Sequence, residues 1–395
     1  MTGKRILICC NRTLGIGGIE KALTTFIKNF DTENNEVTLV LSNSFGALFP
    51  QLPTKNISIF FTEQINSLEM AKDDLRHFRF CEIIKGVYNR VMLRLNKNWY
   101  AKIMYTYRII RRKLIFPNHF DCAISFTTDY SDLSMVLDAD TNKRIAFVHA
   151  DASRNPYIAK LNDTLLQQMD KIYCVSESSK ELFLKVHPTC KNAMDIFRNI
   201  MDVEEILHLG EEPVHDMVLD GTPTICTVGR LSPEKGQLMI PEISNLLRQK
   251  GYVFRWYLVG DGSLRDKLEK QIIEQNLQSH VILLGAKINP YPYIKSCDVY
   301  VQTSYSEAYC ITIAESRILQ KPIVATDAPG VREQIEDGRT GLITHEMTPE
   351  ALSSCIEKLL ISSNLRKQFS GNLSQESDAH LTDLEKLYSF IDSSI

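Results

Sequence analysis

Short, β-branched apolar runs alternate with longer amphipathic stretches along almost the whole chain. This alternation favours parallel sheets with crossover helices, because each helix returns the chain to the edge where the next strand begins. In the first half the predicted strands are 5–10, 36–41, 57–60, 122–126, 144–148, 172–175 and 195–197. In the second half they are 224–228, 254–259, 281–284, 299–302 and 322–325. The sequence therefore predicts an α/β protein.

At 395 residues the chain is longer than one hydrophobic core usually supports. The acidic stretch 199–221 is the best candidate for a linker, and we expect it to be irregular. The prediction is two Rossmann-like, doubly wound domains, 1–200 and 201–378, facing each other across a cleft, followed by an amphipathic helix within 379–395. In open parallel sheets ligands bind at the carboxyl ends of the strands, so the cleft is the expected site.

Composition and cysteine usage predict a cytoplasmic protein. The net charge is −3, and no long charge-free apolar run predicts a membrane-spanning helix. The apolar run near the amino terminus is too short for a signal peptide and reads as a first strand. The ten cysteines show no paired metal-ligand spacing, and the adjacent Cys9 and Cys10 are typical of reduced thiols.

One segment departs from the near-neutral charge. Residues 83–115 contain nine Lys or Arg residues and no Asp or Glu, interleaved with tyrosines and a tryptophan. A basic, aromatic, amphipathic helix suits an anionic membrane surface. The alternative is a solvated helix whose apolar side packs on the first domain. Single-stranded nucleic acid is disfavoured as a partner, because no recognition module accompanies the cations.

Two sequence motifs have charged side chains directly after predicted strands. Arg230 and Lys235 follow strand 224–228 through a glycine turn, and Glu307 follows strand 299–302. Glu315 comes eight positions later, about two turns into the predicted helix. Two cations and two carboxylates around one crevice suit a molecule that is anionic at one end and rich in hydroxyls at the other.

These motifs resemble those of the retaining glycosyltransferases of the GT-B fold, specifically family 4 and its surface-polysaccharide and lipopolysaccharide enzymes. The family is marked by Glu-x7-Glu, here Glu307 to Glu315, after a turn of the type Gly229-Arg230…Lys235-Gly236. The resemblance extends from residues 17–20 to 338–342. It implies that the helix at 379–395 crosses back onto the first domain.

The resemblance also implies roles at the donor end of the site. Arg230 and Lys235 would stabilise the diphosphate leaving group, assisted by the helix that begins near Tyr309, Cys310 and Ile311. Glu307 would accept hydrogen bonds from the donor sugar.

Further roles follow for residues along the rest of the crevice. Glu315 would bind the ribose hydroxyls, and His149 would contact the donor sugar near the reacting carbon. Gly17 and Gly18 would let the backbone approach phosphate or acceptor. Ala286 and Lys287 would belong to a loop that meets the nucleotide base.

One departure from the family pattern concerns the backbone after Glu307. Many members have Glu-Gly-Phe-Gly where this chain has Glu307-Ala308-Tyr309-Cys310. Alanine lacks the freedom of glycine at positive φ, so we expect Ala308 to alter the backbone there, and sugar selectivity with it.

The implied activity is that of a hexosyltransferase. It would move a hexosyl unit from an NDP-sugar, with UDP as the expected nucleotide, to a hydroxyl of a glycan or lipid-linked saccharide, forming an α-linkage. We expect no resident cofactor and no metal site, and a location in the cytoplasm or at the inner face of the plasma membrane.

Two alternatives belong to other classes. A non-catalytic carbohydrate- or nucleotide-binding scaffold could keep the same fold. A dinucleotide-dependent oxidoreductase would need Gly-x-Gly-x-x-Gly, which the glycines at 15, 17 and 18 do not match.

Overall fold

The computed structural model describes residues 3–62, 118–152, 163–375 and 382–393, together with residues 154, 158 and 161. The basic segment predicted at 83–115 lies outside the described residues. Two fully parallel sheets organise the described chain, which confirms the α/β fold class. Within the described ranges, no helix is long and apolar enough to span a bilayer.

The first sheet has seven strands in the order β3-β2-β1-β4-β5-β6-β7. Its strands are β1 (Arg5–Cys9), β2 (Glu36–Leu41), β3 (Ile57–Phe61), β4 (Phe120–Ser125), β5 (Thr141–Val148), β6 (Lys171–Cys174) and β7 (Met194–Ile196). The helices of this part are α1 (Gly18–Asn29), α2 (Tyr130–Asp138), α3 (Asp163–Leu166) and α4 (Glu177–Val186).

The second sheet has six strands in the order β10-β9-β8-β11-β12-β13. Its strands are β8 (Thr224–Val228), β9 (Arg255–Val259), β10 (Val281–Gly285), β11 (Val299–Gln302), β12 (Ile323–Thr326) and β13 (Gly341–Thr344). The helices are α5 (Val203–Leu209), α6 (Ile240–Gln249), α7 (Arg265–Glu274), α8 (Tyr291–Ser296), α9 (Ile311–Ile318), α10 (Pro349–Ile361), α11 (Ser363–Leu373) and α12 (Thr382–Asp392).

All twelve predicted strands are present, and their ends differ from the prediction by at most three residues. They were recognisable because strands buried on both faces are continuous apolar runs; β8 and β11, for example, are buried at every position. β13 was missed, since it is short and begins within a turn-like stretch rich in glycine. It pairs with β12 at the edge of the second sheet.

The prediction of an irregular linker over 199–221 is wrong in part. This stretch contains α5, whose first turn carries Glu204 and Glu205. Asp202 caps this helix, its side chain accepting a hydrogen bond from the Glu205 N–H at 2.9 Å. Carboxylates stabilise the amino end of a helix, so the charges that suggested a linker help α5 to form.

Strand order explains why the site lies where it does. In the first sheet the order reverses between β1 and β4, and in the second between β8 and β11. A crevice opens outside the carboxyl ends of strands at such a reversal. The glycine turn at Gly17 follows β1, the Arg230 turn follows β8, and Glu307 follows β11.

The carboxy-terminal helix α12 packs against the core of the first domain through Leu384, Leu387 and Ile391. Lys143, a buried residue of β5, caps the end of this helix. Its Nζ donates hydrogen bonds to the Ile391 carbonyl at 3.2 Å, to the Ser393 Oγ at 2.9 Å and to neighbouring carbonyls. A cation at this point also faces the negative end of the helix dipole.

Lys143→Met is therefore expected to lower the free energy of unfolding by about 2–4 kcal/mol, because the last carbonyls of α12 lose their charged donor. Urea unfolding measures this. Lys171→Met is the matched control on the adjacent strand: Lys171 is partly exposed and lies 3.7 Å from Asp195 and 5.8 Å from the centre of the Phe390 ring of α12, so its loss should cost under about 1 kcal/mol. An equal decrease in the free energy of unfolding for the two variants would contradict the capping role of Lys143.

Candidate active site

A cavity of about 730 Å³ lies between the carboxyl edges of the two sheets. Every residue predicted for the site lines it, so tertiary folding brings together side chains that are distant in sequence. They are Gly17, Gly18, His149, Arg230, Lys235, Ala286, Lys287, Glu307, Tyr309, Cys310, Ile311 and Glu315.

The turn after β8 depends on Gly236. Its backbone is left-handed, with φ +67°, and a Cβ there would lie 2.1 Å from the Thr303 carbonyl oxygen. Only glycine permits this contact between the turn and the chain that leaves β11. The contact holds Lys235 beside Glu307.

Lys235 and Glu307 form a close ion pair. Lys235 Nζ lies 2.7 Å from Glu307 Oε1 and 2.9 Å from Oε2. Burial disfavours the charged Lys235, but the Glu307 carboxylate outweighs it and raises the pKa of Lys235. Ser304 Oγ and Gln302 Nε2 also donate to Glu307 Oε1, at 2.6 and 3.2 Å. Glu307 is thus fixed in one orientation at the cavity wall.

Glu315 is buried, with 1% of its surface exposed, and its partner comes from the other domain. Lys21 of α1 reaches across the cleft to form an ion pair with Glu315, and its Nζ lies 4.1 Å from the centre of the Tyr291 ring. Glu315 is the fifth residue of α9, just over one turn into the helix rather than two. Sequence reasoning missed Lys21, because nothing local distinguishes it from a surface lysine.

Two helix amino ends converge in the cavity. A Cβ placed on Gly18, where α1 begins, would lie 3.9 Å from Cδ1 of the Ile311 side chain, and α9 begins at Ile311. A Cβ on Gly17 would lie 2.2 Å from Glu20 Oε2 and 3.3 Å from Arg230 Nη2, so the buried Glu20 carboxylate and the Arg230 guanidinium both lie beside this helix end. Arg230 is exposed to the cavity, and no described residue pairs with its side chain. Helix amino ends with an unpaired guanidinium favour an anion.

His149 follows β5 and packs against a tilted Phe126 ring and a stacked Phe147 ring, with centroids 4.8 and 5.9 Å away. Burial, with a smaller contribution from the nearby Arg12 charge, lowers the pKa of His149 to about 3. The ring is therefore neutral at physiological pH. Its Nε2 is buried and has no hydrogen-bond partner among the described residues, which leaves an unsatisfied polar atom in a residue that lines the cavity.

Ala286 and Lys287 lie in the loop after β10. Lys287 Nζ is 2.6 Å from Asp216 Oδ2, and its charge lies 5.4 Å from the centre of the Tyr293 ring. These partners hold the loop at the cavity rim. The side chain of Lys287 is engaged by protein, and the loop can offer a ligand its backbone groups.

The Glu307 loop, residues 307–311, corrects the expectation about Ala308. Ala308 does not adopt a positive φ; the left-handed position is Cys310, with φ +68°. A non-glycine residue there costs about 1–2 kcal/mol. Glycine is the residue that this conformation favours, and Cys310 adopts it under strain.

Relief of this strain can be measured by comparing Cys310→Gly with Cys310→Ala. Both variants lose the buried thiol, but only glycine tolerates the left-handed backbone. We expect the glycine variant to be more stable than the alanine variant by about 1 kcal/mol. Urea unfolding of the pair is the measurement, and an alanine variant of equal or greater stability would contradict the strain.

Comparisons with known proteins show what the chain is similar to. Residues 217–375 match the family described as Glycosyl transferases group 1. An uncharacterized glycosyltransferase of Methanocaldococcus jannaschii is 25% identical over 251 residues, covering 55% of this chain and 61% of that protein. The N-acetylgalactosamine-N,N'-diacetylbacillosaminyl-diphospho-undecaprenol 4-alpha-N-acetylgalactosaminyltransferase of Campylobacter jejuni is 28% identical over 176 residues, covering 44% of this chain and 46% of that protein. The chain spans about half the length of the relatives it matches.

Among solved structures, the fold resembles a TarM variant of S. aureus in complex with Fondaparinux, alpha-GlcNAc-glycerol and UDP. The TM-score is 0.73 at 12% identity, covering 99% of this chain and 100% of that one. Identity this low bears on the fold alone. Residues 217–375 thus match the group 1 glycosyltransferase family, and the two facing parallel sheets have the GT-B fold.

Proposed function

We propose that the protein is a retaining hexosyltransferase. It transfers a hexosyl unit from a nucleotide sugar, with UDP as the nucleotide, to a hydroxyl of a glycan or lipid-linked saccharide and forms an α-linkage. The observation that carries this proposal is the convergence of two helix amino ends and an unpaired Arg230 on a cavity that also holds the Lys235–Glu307 pair.

The leaving group of such a reaction is the nucleoside diphosphate. Negative charge builds on it as the bond to the sugar breaks, and fixed positive groups at that point lower the barrier. Arg230 and the first N–H groups of α1 and α9 are suited to this task, because Arg230 and the residues that begin both helices line the same cavity. Lys235 adds a second cation at the boundary with the sugar.

Glu307 and His149 are suited to the sugar. Lys235, Ser304 and Gln302 orient the Glu307 carboxylate, which can accept hydrogen bonds from vicinal hydroxyls. His149 is neutral, so its Nε2 hydrogen-bonds to a hydroxyl without adding charge. Glu307 shares both carboxylate oxygens with Lys235, which makes it a poor covalent nucleophile. This favours substitution on one face of the sugar, in which the departing phosphate takes the acceptor proton.

Glu315 and the loop after β10 are suited to the nucleoside. Glu315 offers a carboxylate to the ribose hydroxyls, and the backbone near Ala286 offers groups to a uracil. The TarM variant with the same fold was solved with UDP, so this fold accommodates the nucleotide proposed here.

The acceptor belongs to the first domain in this proposal. The name of the Campylobacter relative specifies an α-linkage to a sugar on undecaprenol diphosphate, which supports a lipid-linked acceptor and surface-polysaccharide or lipopolysaccharide assembly. Contact of residues 83–115 with an anionic membrane stays a prediction.

Calorimetric titration with UDP and with NAD tests the proposal, followed by mass spectrometry of a panel of nucleotide sugars for donor hydrolysis. We expect UDP to bind, NAD not to bind, and one donor to be hydrolysed. Binding of UDP with no hydrolysis of any donor would support the scaffold alternative, and binding of NAD would indicate an oxidoreductase.

A further inference from the structure

The Glu307 loop is held in place by side chains that donate hydrogen bonds to its backbone carbonyl groups. Ser176 Oγ donates to the Ala308 carbonyl oxygen at 2.5 Å. Gln334 Nε2 donates to the Tyr309 carbonyl oxygen and, at 3.4 Å, to that of Cys310. Three consecutive carbonyl groups are thus tied to side chains from elsewhere in the chain.

These tethers also determine where the N–H groups of the loop point. In a trans peptide the N–H and C=O point in opposite directions. The loop residues from Ala308 to Ile311 line the cavity, whereas Ser176 and Gln334 do not. Carbonyl groups drawn toward these two side chains therefore leave the following N–H groups directed to the cavity side. Because Cys310 is left-handed and α9 begins at Ile311, successive N–H groups can form a concave anion-binding nest.

Ser176 belongs to the first domain, although the loop belongs to the second. It is also the N-cap of α4, accepting a hydrogen bond from the Ser179 N–H at 2.9 Å. Glu333 of the second domain accepts hydrogen bonds from the Glu177 and Ser178 N–H groups, at 3.0 and 2.8 Å. The amino end of α4 is therefore docked on the second domain and carries Ser176 to the loop.

We propose that Ser176 and Gln334 are positioning residues that turn the peptide N–H groups of the Glu307 loop toward the diphosphate of the donor. Because Ser176 comes from the first domain, the diphosphate site is complete only when the two domains pack as they do here. This inference rests on the proposed function, since it requires a diphosphate in the cavity.

Ser176→Gly and Gln334→Met test the inference, with UDP and uridine as probes. Glycine is an adequate N-cap, within a few tenths of a kcal/mol of serine, but cannot donate to Ala308. Losing one orienting hydrogen bond should raise the Kd for UDP about tenfold in either variant. The Kd for uridine should stay unchanged, because uridine has no diphosphate. Ser178→Ala is the matched control: its hydroxyl bonds to Glu333 at 2.7 Å but not to the loop, so both Kd values should stay as in the wild type.

The outcomes separate the two proposals. Unchanged UDP affinity in either variant, or an equal loss for UDP and uridine, would overturn the inference, because a merely structural role weakens both probes alike. A wild-type protein that binds neither probe would instead reject the proposed function. Gln334→Met lies wholly in the second domain, so it decides the role of the tethers even when Ser176→Gly does not fold.

Discussion

Arg230→Ala is expected to lower the rate of glycosyl transfer about 10²–10³-fold, because a fixed donor at the developing charge contributes that much to transition-state stabilisation. Arg230 is exposed to the cavity, lies beside the amino end of α1, and has no partner among the described side chains. Its loss therefore removes an interaction with the ligand and breaks none within the protein. Steady-state release of nucleotide from the donor is the measurement, and the unfolding midpoint should not change.

Two further substitutions sharpen this test. Arg230→Lys keeps the charge but not the planar fork that matches two phosphate oxygens, so we expect an intermediate rate. Arg332→Ala removes an arginine paired with Asp327 at 2.7 Å outside the cavity, and it should retain the wild-type rate. A wild-type rate for Arg230→Ala would contradict the proposed role of Arg230 in stabilising the diphosphate leaving group.

Glu307→Gln is expected to lower transfer about 10²-fold while leaving the Kd for UDP within about twofold of the wild type. Glutamine keeps the shape and can still accept from Ser304, but it leaves Lys235 without its counter-charge and weakens the contact with sugar hydroxyls. Hydrogen bonds to a charged group contribute about 1.5–3 kcal/mol, which corresponds to this loss. Because the proposed function assigns Glu307 to the donor sugar, turnover should fall while nucleotide binding is kept.

Parallel kinetics and UDP titration measure that separation. Glu269→Gln is the matched control, an exposed glutamate of α7 away from the cavity, and it should change neither quantity. An equal loss of UDP binding and turnover in Glu307→Gln would place Glu307 at the nucleotide instead of the sugar.

The secondary structure and the order of the charged motifs could be predicted because they depend on local pattern. A strand buried on both faces is a continuous apolar run whatever lies beside it, as β8 and β11 are. Carboxyl ends of parallel strands share one edge, so Arg230 and Glu307, each following a strand, could be placed together before β8 and β11 were known to be neighbours.

The pairing of side chains could not be predicted in the same way. The sequence motifs that contain Lys235 and Glu307 predict a separate contact of each side chain with a ligand. In the structure the turn at Gly236 brings the two side chains together in one ion pair. Likewise the sequence predicts an altered backbone at Ala308, but the residue with left-handed backbone is Cys310. Which residue of a loop takes a positive φ depends on what the loop packs against, and sequence spacing carries no such information.

The amino-acid sequence by itself determined the two parallel sheets and which edge of each carries the chemistry, because apolar periodicity and turn residues act over a few positions. Only the tertiary structure decided the partners that come from the opposite domain, Lys21 for Glu315 and Ser176 for Ala308. These contacts join residues 294 and 132 positions apart, and they form only once both cores have packed and the cleft has its final width.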